Sequence, residues 1–381
     1  MKLGIDVFLE KTKDYADKRI GLLTNLTGVN KDLVPTIDLL YNHPDVQLTA
    51  LFAPEHGIRG DAKEGEAVEA EVDEITQLPV YSLYGKNRKP SKEMLEDIDL
   101  IVIDLQDIGS RYYTYIYTMA YVMEACKENN KQVVILDRPN PISGKNKEGN
   151  VVEEKFRSFV GLLPIANRHG LTIGELALLF KYEYGYTCDL VVIEMEGWKR
   201  DMYFEESNLF WVSPSPNTTN IDMCVLYSGT CLIEGTNLSE GRGTTRPFEV
   251  IGAPYISGYE VAKAFNHLNI PGVIARPTSF KPTYQKYNNE QCSGVQLHVT
   301  DRDSIKPLET VIKLLEIIAR IYPDEFEFIS NEKGKYFFDL LAGNGSLKEQ
   351  IINSETDEYF ENAHKELDEF KQISKQYHLY N

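Results

Sequence analysis

The chain has 381 residues and a formal net charge of −18. A strongly acidic protein is disfavoured as a binder of nucleic acid or of anionic membranes, because both need a positive surface. No stretch approaches the roughly 20 consecutive apolar residues that cross a bilayer, and the length predicts two domains, which we place at residues 1–225 and 226–381.

The five cysteines indicate a reducing compartment. They are odd in number, scattered, and never spaced as Cys-x-x-Cys, which favours core thiols over disulfides or metal ligands. No histidines have a zinc-binding spacing, and we expect no metal and no other cofactor. The first ten residues carry acids in their apolar part and no cleavage pattern, so we expect no signal peptide. This predicts a cytoplasmic protein, or a secreted one if a leader has been removed.

The first part of the chain alternates between strand and helix patterns. Strands are predicted at residues 19–25, 47–52, 80–84, 100–105, 132–136 and 190–195, and helices at 35–41, after Ser91 and at 114–128. Such alternation predicts an α/β domain with a Rossmann-like, mostly parallel sheet. A lone Gly28 follows the first strand, so the glycine fingerprint of dinucleotide binding is absent. The acidic segment 61–74 is expected to form a mobile, solvated cover.

The second of these strands ends in an arrangement typical of a catalytic loop. Pro54 stops the strand, Glu55 and His56 follow, and Gly57 gives a flexible turn. Ligands of open α/β sheets bind outside the carboxyl ends of the strands, so both side chains are candidates for catalysis, with Glu55 as general acid or base. The alternatives are that Glu55 caps a turn and that His56 is merely hydrogen-bonded at the rim.

The strand at 100–105 also ends in polar residues. Asp104 and Asp107 have an odd spacing that places them on opposite faces, and we favour Asp107 as the one in the cleft. Arg111 could meet a substrate anion, and Tyr112 and Tyr113 offer hydroxyls and ring faces to a sugar. The alternative is a structural ion pair between Asp107 and Arg111, with the tyrosines packed against it.

Two further segments add candidate binding groups to this edge of the sheet. Asp137 and Arg138 follow the strand at 132–136 in a stiff, proline-containing loop. Arg168 and His169 precede a helix whose capping box is formed by residues 172 and 175, and helix N-termini favour anions. Binding or pure architecture would explain both segments.

The second unit is predicted to be smaller and of mixed α/β (α+β) type. Strands are expected at 230–236, 272–275 and 294–300, and helices at 258–267, 308–321 and in the charged segment 346–377. Its glycine-rich loop contains Glu240 and Arg242 but lacks the signature of a phosphate-binding loop. We expect this loop to face a cleft between the two domains.

Five motifs in order give the chain a specific resemblance. They are Ala-Pro-Glu-His-Gly at 53–57, Asp-Leu-Gln-Asp-Ile-Gly-Ser-Arg-Tyr-Tyr-Thr-Tyr at 104–115, Asp-Arg-Pro-Asn-Pro at 137–141, Pro-Ser-Pro-Asn at 214–217 and Glu-Gly-Thr-Asn-Leu-Ser-Glu-Gly-Arg-Gly-Thr-Thr-Arg-Pro-Phe at 234–248. Together they resemble the exo-β-N-acetylmuramidase family of bacterial cell-wall recycling, formerly catalogued as a domain of unknown function.

The resemblance implies a glycoside hydrolase that removes N-acetylmuramic acid from the non-reducing end of peptidoglycan fragments. The family's proposed catalytic glutamate corresponds to Glu55, and the fourth motif adds Asn217 to the substrate-binding candidates. The lactyl carboxylate of muramic acid requires a cationic partner, for which the arginines at 111, 138, 168 and 242 are available. The second catalytic group could be Asp107, a tyrosine or the substrate's own acetamido group.

Two other functions stay open at this point. A phosphate- or nucleotide-binding protein would use the arginines and the loop at 240–245 on phosphoryl groups. A non-catalytic protein that binds cell-wall fragments would keep the aromatic residues and arginines but would not need Glu55. The sequence predicts no oligomeric state.

Overall fold

The computed structural model describes residues 1–55, 57–59, 71–85 and 87–381. His56 and most of the predicted acidic cover therefore lie outside the described residues. The chain forms two units, each built around its own sheet.

The first unit contains a seven-stranded sheet covered by helices. Its strands are β1 Arg19–Thr24, β2 Gln47–Ala53, β3 Glu71–Val72, β4 Pro79–Ser82, β5 Leu100–Asp104, β6 Gln132–Leu136 and β7 Asp189–Ile193. Its helices are α1 Gly4–Leu9, α2 Thr36–Tyr41, α3 Tyr115–Glu128 and α4 Ile173–Glu183. The strand order is β3-β4-β2-β1-β5-β6-β7, and all neighbours are parallel except β3 and β4. The predicted α/β class is confirmed.

Alternating side chains of the strands divide the first core into two layers. Ile101 and Ile103 of β5 pack on the side of α3 and α4, whereas Leu100 and Val102 pack on the side of α1 and α2. A parallel sheet covered on both faces requires such continuous apolar strands. Because β2, β1, β5 and β6 are parallel, the carboxyl ends of β2, β5 and β6 share one edge.

The second unit is smaller and antiparallel. Its strands are β8 Val250–Ala253, β9 Val273–Phe280 and β10 Cys292–Val299, in the order β8-β10-β9. Its helices are α5 Ile221–Thr230, α6 Gly258–Asn266, α7 Pro307–Ile321, α8 Phe337–Ala342, α9 Leu347–Asn353 and α10 Asp357–Ser374. The predicted helices at 258–267 and 308–321 are confirmed. The proposed boundary at 225/226 lies within α5 and stays a prediction.

Two predicted elements were wrong. Residues 230–236 form the end of α5 and a 3₁₀ turn at Cys231–Gly235 instead of a strand. A short buried apolar run has no periodicity that separates strand from helix. Here Gly235 lies so close to α8 that an added Cβ would be 2.5 Å from Phe338 Cα. The helix expected after Ser91 is only one 3₁₀ turn, at Glu93–Leu95.

The end of the chain returns to the first unit. Tyr380 Oη donates a hydrogen bond to Asp137 Oδ2 at 2.6 Å, and the ring of Tyr380 lies 5.1 Å from that of Trp198. The backbone N–H of Arg200 donates to the carbonyl of Asn381 at 3.0 Å. Among the described residues, no helix has the length and apolar character needed to cross a membrane.

Candidate active site

A pocket of about 240 Å³ lies between the two units at the carboxyl end of the large sheet. Both units contribute side chains to its wall. The described residues that line it are Glu55, Tyr84, Tyr112, Tyr113, Thr114, Tyr115, Phe159, Val160, Ser215, Asn217, Thr218, Met223, Tyr227, Cys231, Glu234, Arg242, Phe248 and Leu341.

Glu55 reaches the pocket because β2 ends at Ala53, two residues before it. Pro54 cannot continue the hydrogen-bonded ladder, and Gly57 turns the chain with a φ of 75°, donating its N–H to the carbonyl of Pro54 at 3.3 Å. Tyr115 Oη lies 3.4 Å from the Glu55 carbonyl oxygen and donates to the Pro214 carbonyl at 2.6 Å. One tyrosine therefore contacts both the Glu55 turn and the loop that carries the fourth motif.

Aromatic rings form one wall of the pocket in a chain of edge-to-face contacts. The ring of Tyr113 lies 4.8 Å from that of Tyr115 and 6.3 Å from that of Tyr227, which in turn lies 4.7 Å from Phe248. Burial raises the pKa of Tyr113, Tyr115 and Tyr227 above the usual value of tyrosine. These hydroxyls are neutral at physiological pH and offer a sugar both polar contacts and apolar ring surface.

The second unit also supplies an ion pair to the pocket, beside the aromatic wall, since Arg242 Cζ lies 5.1 Å from the centre of the Phe248 ring. Arg242 Nη2 lies 3.0 Å from Glu234 Oε1, and Arg242 Nε lies 3.5 Å from Glu240 Oε1. Glu234 was missed as a site residue in the sequence, although it begins the fifth motif, because its segment was interpreted as a strand. Burial, followed by the nearby Glu240 carboxylate, raises the pKa of Glu234 against the opposing effect of Arg242.

Asn217 lines the pocket from the loop between the units. Tyr284 Oη of the second unit donates to Asn217 Oδ1 at 3.1 Å. The same loop is closed by Thr218, whose Oγ1 donates to the Ser215 carbonyl at 2.7 Å. Of the candidates named from the sequence, Glu55, Tyr112, Tyr113, Asn217 and Arg242 are thus brought together.

Asp107, the favoured carboxylate of the second strand end, does not line this pocket. Its Oδ2 accepts hydrogen bonds from the N–H of Gly109 at 2.7 Å and from His169 Nε2 at 3.1 Å. His169 Nδ1 accepts the N–H of Leu171 at 3.2 Å, which assigns the proton of the neutral ring to Nε2. Both side chains are buried, and the alternative pairing of Asp107 with Arg111 is replaced by the contact with His169.

Arg111 is also fully buried and does not line the pocket. Its guanidinium donates to the backbone carbonyls of Asn150 at 2.6 Å and of Leu341 and Ala342 at 3.1 Å each. The last two residues belong to the second unit, so Arg111 joins the units. This position does not support the expectation that Arg111 binds a substrate anion.

The remaining candidates form buried polar networks outside the pocket. Arg138 pairs with Asp104 through Nε–Oδ1 at 2.5 Å and Nη2–Oδ2 at 2.9 Å. Asp137 accepts hydrogen bonds from Thr172 and Gly174, both at 2.8 Å, in addition to the one from Tyr380. The other two are Arg168, which donates to the Ile142 carbonyl, and Glu240, which pairs with Lys286.

The predicted cap of α4 explains part of this burial. Thr172 Oγ1 accepts the N–H of Glu175 at 3.2 Å, and Glu175 Oε2 accepts the N–H of Thr172 at 3.0 Å. The capping box is therefore confirmed. The side chains of Thr172 and Glu175 therefore supply hydrogen bonds at the N-terminus of α4, where the sequence suggested a bound anion.

Both units match models of known protein domains. The model of the N-terminal domain of exo-β-N-acetylmuramidase NamZ matches residues 20–222, and the model of its C-terminal domain matches residues 225–380. The chain belongs to the exo-β-N-acetylmuramidase NamZ family. The resemblance inferred from the five motifs is thereby confirmed.

Three individual proteins are similar to this chain along its whole length. The peptidoglycan β-N-acetylmuramidase NamZ of Bacillus subtilis strain 168 is 49% identical over 382 residues, covering 100% of this chain and 91% of that protein. Two crystal structures of DUF1343 family proteins from Bacteroides fragilis NCTC 9343 cover 100% of this chain and 99% of their own chains. Their TM-scores are 0.93 and 0.81, at 39% and 30% identity.

Proposed function

We infer that this chain is an exo-β-N-acetylmuramidase, a glycoside hydrolase that releases N-acetylmuramic acid from the non-reducing end of peptidoglycan fragments. The full-length match to the B. subtilis enzyme supports the reaction class. The observation that supports the chemistry is one pocket in which a strand-end carboxyl group, neutral tyrosines and an arginine converge.

Glu55 is proposed as the general acid. Cleavage of a glycoside needs a proton at the leaving oxygen and stabilisation of an oxocarbenium-like centre. Glu55 places its carboxyl group in the pocket two residues after the end of β2. Its turn is held by the hydrogen bond from the Gly57 N–H to the Pro54 carbonyl. Because Asp107 is bound to His169 outside the pocket, the pocket tyrosines and the substrate's acetamido group are better candidates for the second role.

Arg242 is proposed to bind the lactyl carboxylate of muramic acid. Four arginines were considered from the sequence, and the structure describes all four. Of these, Arg242 lines the pocket. Arginine and carboxylate form paired, charge-assisted hydrogen bonds, which are stronger than neutral ones. This contact would distinguish muramic acid from N-acetylglucosamine, which lacks the carboxylate.

The size of the pocket supports exo action on one terminal sugar. Its volume of about 240 Å³ is below the usual range of ligand sites, roughly 300–1,000 Å³. Both units line it, so we propose that the second domain completes the site. We further propose that the protein acts in a reducing compartment such as the cytoplasm, which suits its five unpaired, buried cysteines.

Hydrolysis of two nitrophenyl substrates tests this function. The wild-type protein should cleave the β-N-acetylmuraminide with a kcat/KM on the order of 10² above that for the β-N-acetylglucosaminide, because an unmatched buried charge costs a few kcal/mol. Arg242→Ala should remove most of this preference. Arg246→Ala is the matched control, since Arg246 lies on the same loop but is over half exposed and pairs with Glu249. Equal kcat/KM values for the two substrates in the wild type would contradict the assignment.

A further inference from the structure

The hydroxyl groups of three neighbouring pocket tyrosines differ in their hydrogen bonds. Tyr112 Oη accepts the side-chain N–H of Asn167 at 2.5 Å. Tyr115 Oη donates to the Pro214 carbonyl at 2.6 Å. Tyr113 Oη is buried and forms no hydrogen bond with any residue that the structure describes. Tyr113 is 8% exposed and lines the pocket, so its hydroxyl group differs from the other two in being open to a partner from a ligand.

The polar side chains nearest to Tyr113 do not replace this partner. Burial and then Tyr115 raise the pKa of Tyr113, and Ser215 opposes them, but neither side chain is placed to form a hydrogen bond with its hydroxyl group. The hydroxyl group is therefore protonated at physiological pH and can donate. Most buried polar groups in proteins are paired, because an unpaired one is costly. An unpaired donor at a pocket wall thus indicates a ligand atom that accepts a hydrogen bond.

Tyr113 joins two parts of the aromatic wall. Its ring centre lies 4.8 Å from that of Tyr115 and 6.3 Å from that of Tyr227. Tyr115 belongs to the part beside the proposed general acid, because its Oη lies 3.4 Å from the carbonyl oxygen of Glu55. Tyr113 is therefore one ring away from the Glu55 turn.

Tyr227 belongs to the part of the wall beside the arginine of the second unit. Its ring centre lies 4.7 Å from that of Phe248, and Arg242 Cζ lies 5.1 Å from the centre of the Phe248 ring. Along the wall, Tyr113 thus stands between the proposed general acid and the proposed receptor of the lactyl carboxylate.

The substituents of an N-acetylmuramic acid residue follow the same order. C1 carries the leaving oxygen, C2 the acetamido group and C3 the lactyl ether. With C1 at Glu55 and the lactyl carboxylate at Arg242, the acetamido group faces the middle of the wall. This group combines a carbonyl oxygen, which accepts hydrogen bonds, with a methyl group that suits the surface of aromatic rings.

We propose that the Tyr113 hydroxyl group donates a hydrogen bond to the carbonyl oxygen of the substrate's acetamido group, while the acetyl methyl group packs on the aromatic wall. Tyr113 is then a specificity-determining residue for N-acetylated sugars. The inference rests on the proposed function, because it takes the order of the substituents from a muramic acid residue in the pocket. The contact is separate from recognition of the lactyl group, so the two can be measured independently.

Isothermal titration calorimetry of the full-length protein with two sugars tests this contact. N-acetylmuramic acid carries the acetamido group, and 3-O-lactylglucose is the matched ligand with a hydroxyl group in its place. Wild type should bind N-acetylmuramic acid at least about fivefold more tightly. Tyr113→Phe should weaken binding of N-acetylmuramic acid by about three- to tenfold, the range for one neutral hydrogen bond, and change the Kd of 3-O-lactylglucose by less than about twofold.

Two results of the calorimetry would overturn the proposal. One is a wild type that binds both sugars equally well, which would mean that the acetamido group is not recognised. The other is an equal loss of affinity for both sugars in Tyr113→Phe, which would mean that the hydroxyl group does not contact the acetamido group. Failure of the wild type to bind either sugar would instead contradict the proposed function.

Melting temperatures without sugar test whether the Tyr113 hydroxyl group is held by the protein. Tyr113→Phe removes an unpaired buried group, so its Tm should be unchanged or higher. Tyr117→Phe is the matched control, because the Tyr117 hydroxyl donates to the Arg111 carbonyl at 2.8 Å. It should lower the Tm and keep the preference between the two sugars. An equal loss of Tm in both variants would overturn the proposal. If Tyr113→Phe does not fold, the wild-type comparison of the two sugars still decides.

Discussion

The carboxyl end of β2 and the carboxyl ends of β5 and β6 carry similar polar residues but have opposite environments. Glu55 after β2 lines a pocket, whereas Asp104, Asp107 and Arg138 after β5 and β6 are each at most 5% exposed. Their partners are protein groups, namely Arg138 for Asp104 and His169 for Asp107. At β2 the edge is used for a ligand, and at β5 and β6 it is used to hold the structure together.

The difference shows that a polar strand end is a site only where no other segment covers it. At β5, residues of the second unit and of the 142–169 region pack over the edge, and their carbonyls accept hydrogen bonds from the Nη2 atoms of Arg111 and Arg168. Most buried polar groups are paired in proteins, and here the covering segments supply most of the partners, although Asp107 Oδ1 and the Nε atoms of Arg111 and Arg168 have none among the described residues. At β2, the covering residues leave a cavity next to the carboxyl group.

The largest effect is expected for Glu55, which lines the pocket at the carboxyl end of β2. Glu55→Gln should lower kcat on the nitrophenyl muraminide by about 10² to 10⁴, because the amide keeps the volume but has no proton to donate. Binding of N-acetylmuramic acid and the melting temperature should stay near the wild-type values. Turnover within threefold of wild type would remove Glu55 from the mechanism and the catalytic role from the end of β2.

The second prediction concerns the buried ion pair at the carboxyl ends of β5 and β6. Arg138→Ala leaves Asp104 buried without its cationic partner and should lower the free energy of unfolding by about 3–5 kcal/mol, measured by urea denaturation. Arg19→Ala is the matched control at the start of β1, since Arg19 pairs with the exposed Asp97 and the partly exposed Asp99 and should contribute less. A variant of unchanged stability with reduced kcat would place the β6 end in the active site.

The smallest effect on kcat is expected for Tyr115, whose hydroxyl lies beside the Glu55 turn. Tyr115→Phe removes the hydrogen bond to the Pro214 carbonyl beside Glu55 and should cost about 1 kcal/mol of stability while lowering kcat severalfold. Tyr117→Phe is the control two residues later. The Tyr117 hydroxyl donates to the Arg111 carbonyl at 2.8 Å, and Tyr117 does not line the pocket. It should lose similar stability with unchanged kcat. Equal kcat losses in both variants would mean that Tyr115 does not position Glu55.

The sequence was sufficient to predict most elements of the first unit. The apolar runs of β5 and β6, the length of α3 and the capping box of Thr172 and Glu175 are local signals, and each appears where it was expected. The short run at 230–236 failed, because burial alone does not distinguish a strand from a helical turn. The sequence also identified Glu55 and Arg242 as candidates. No local sequence pattern, however, predicts that they line the same pocket.

By itself, the sequence determined which side chains reach the carboxyl edge of the sheet, because parallel strands bring their ends to the same side whatever covers them. Only the tertiary structure decided which of these side chains are available to a ligand. Arg111 is bound by the carbonyls of Leu341 and Ala342, which lie 230 and 231 residues away along the chain. Glu234 likewise joins Glu55 in the pocket only through the docking of the second unit. Burial depends on such distant contacts, and no local spacing of residues encodes them.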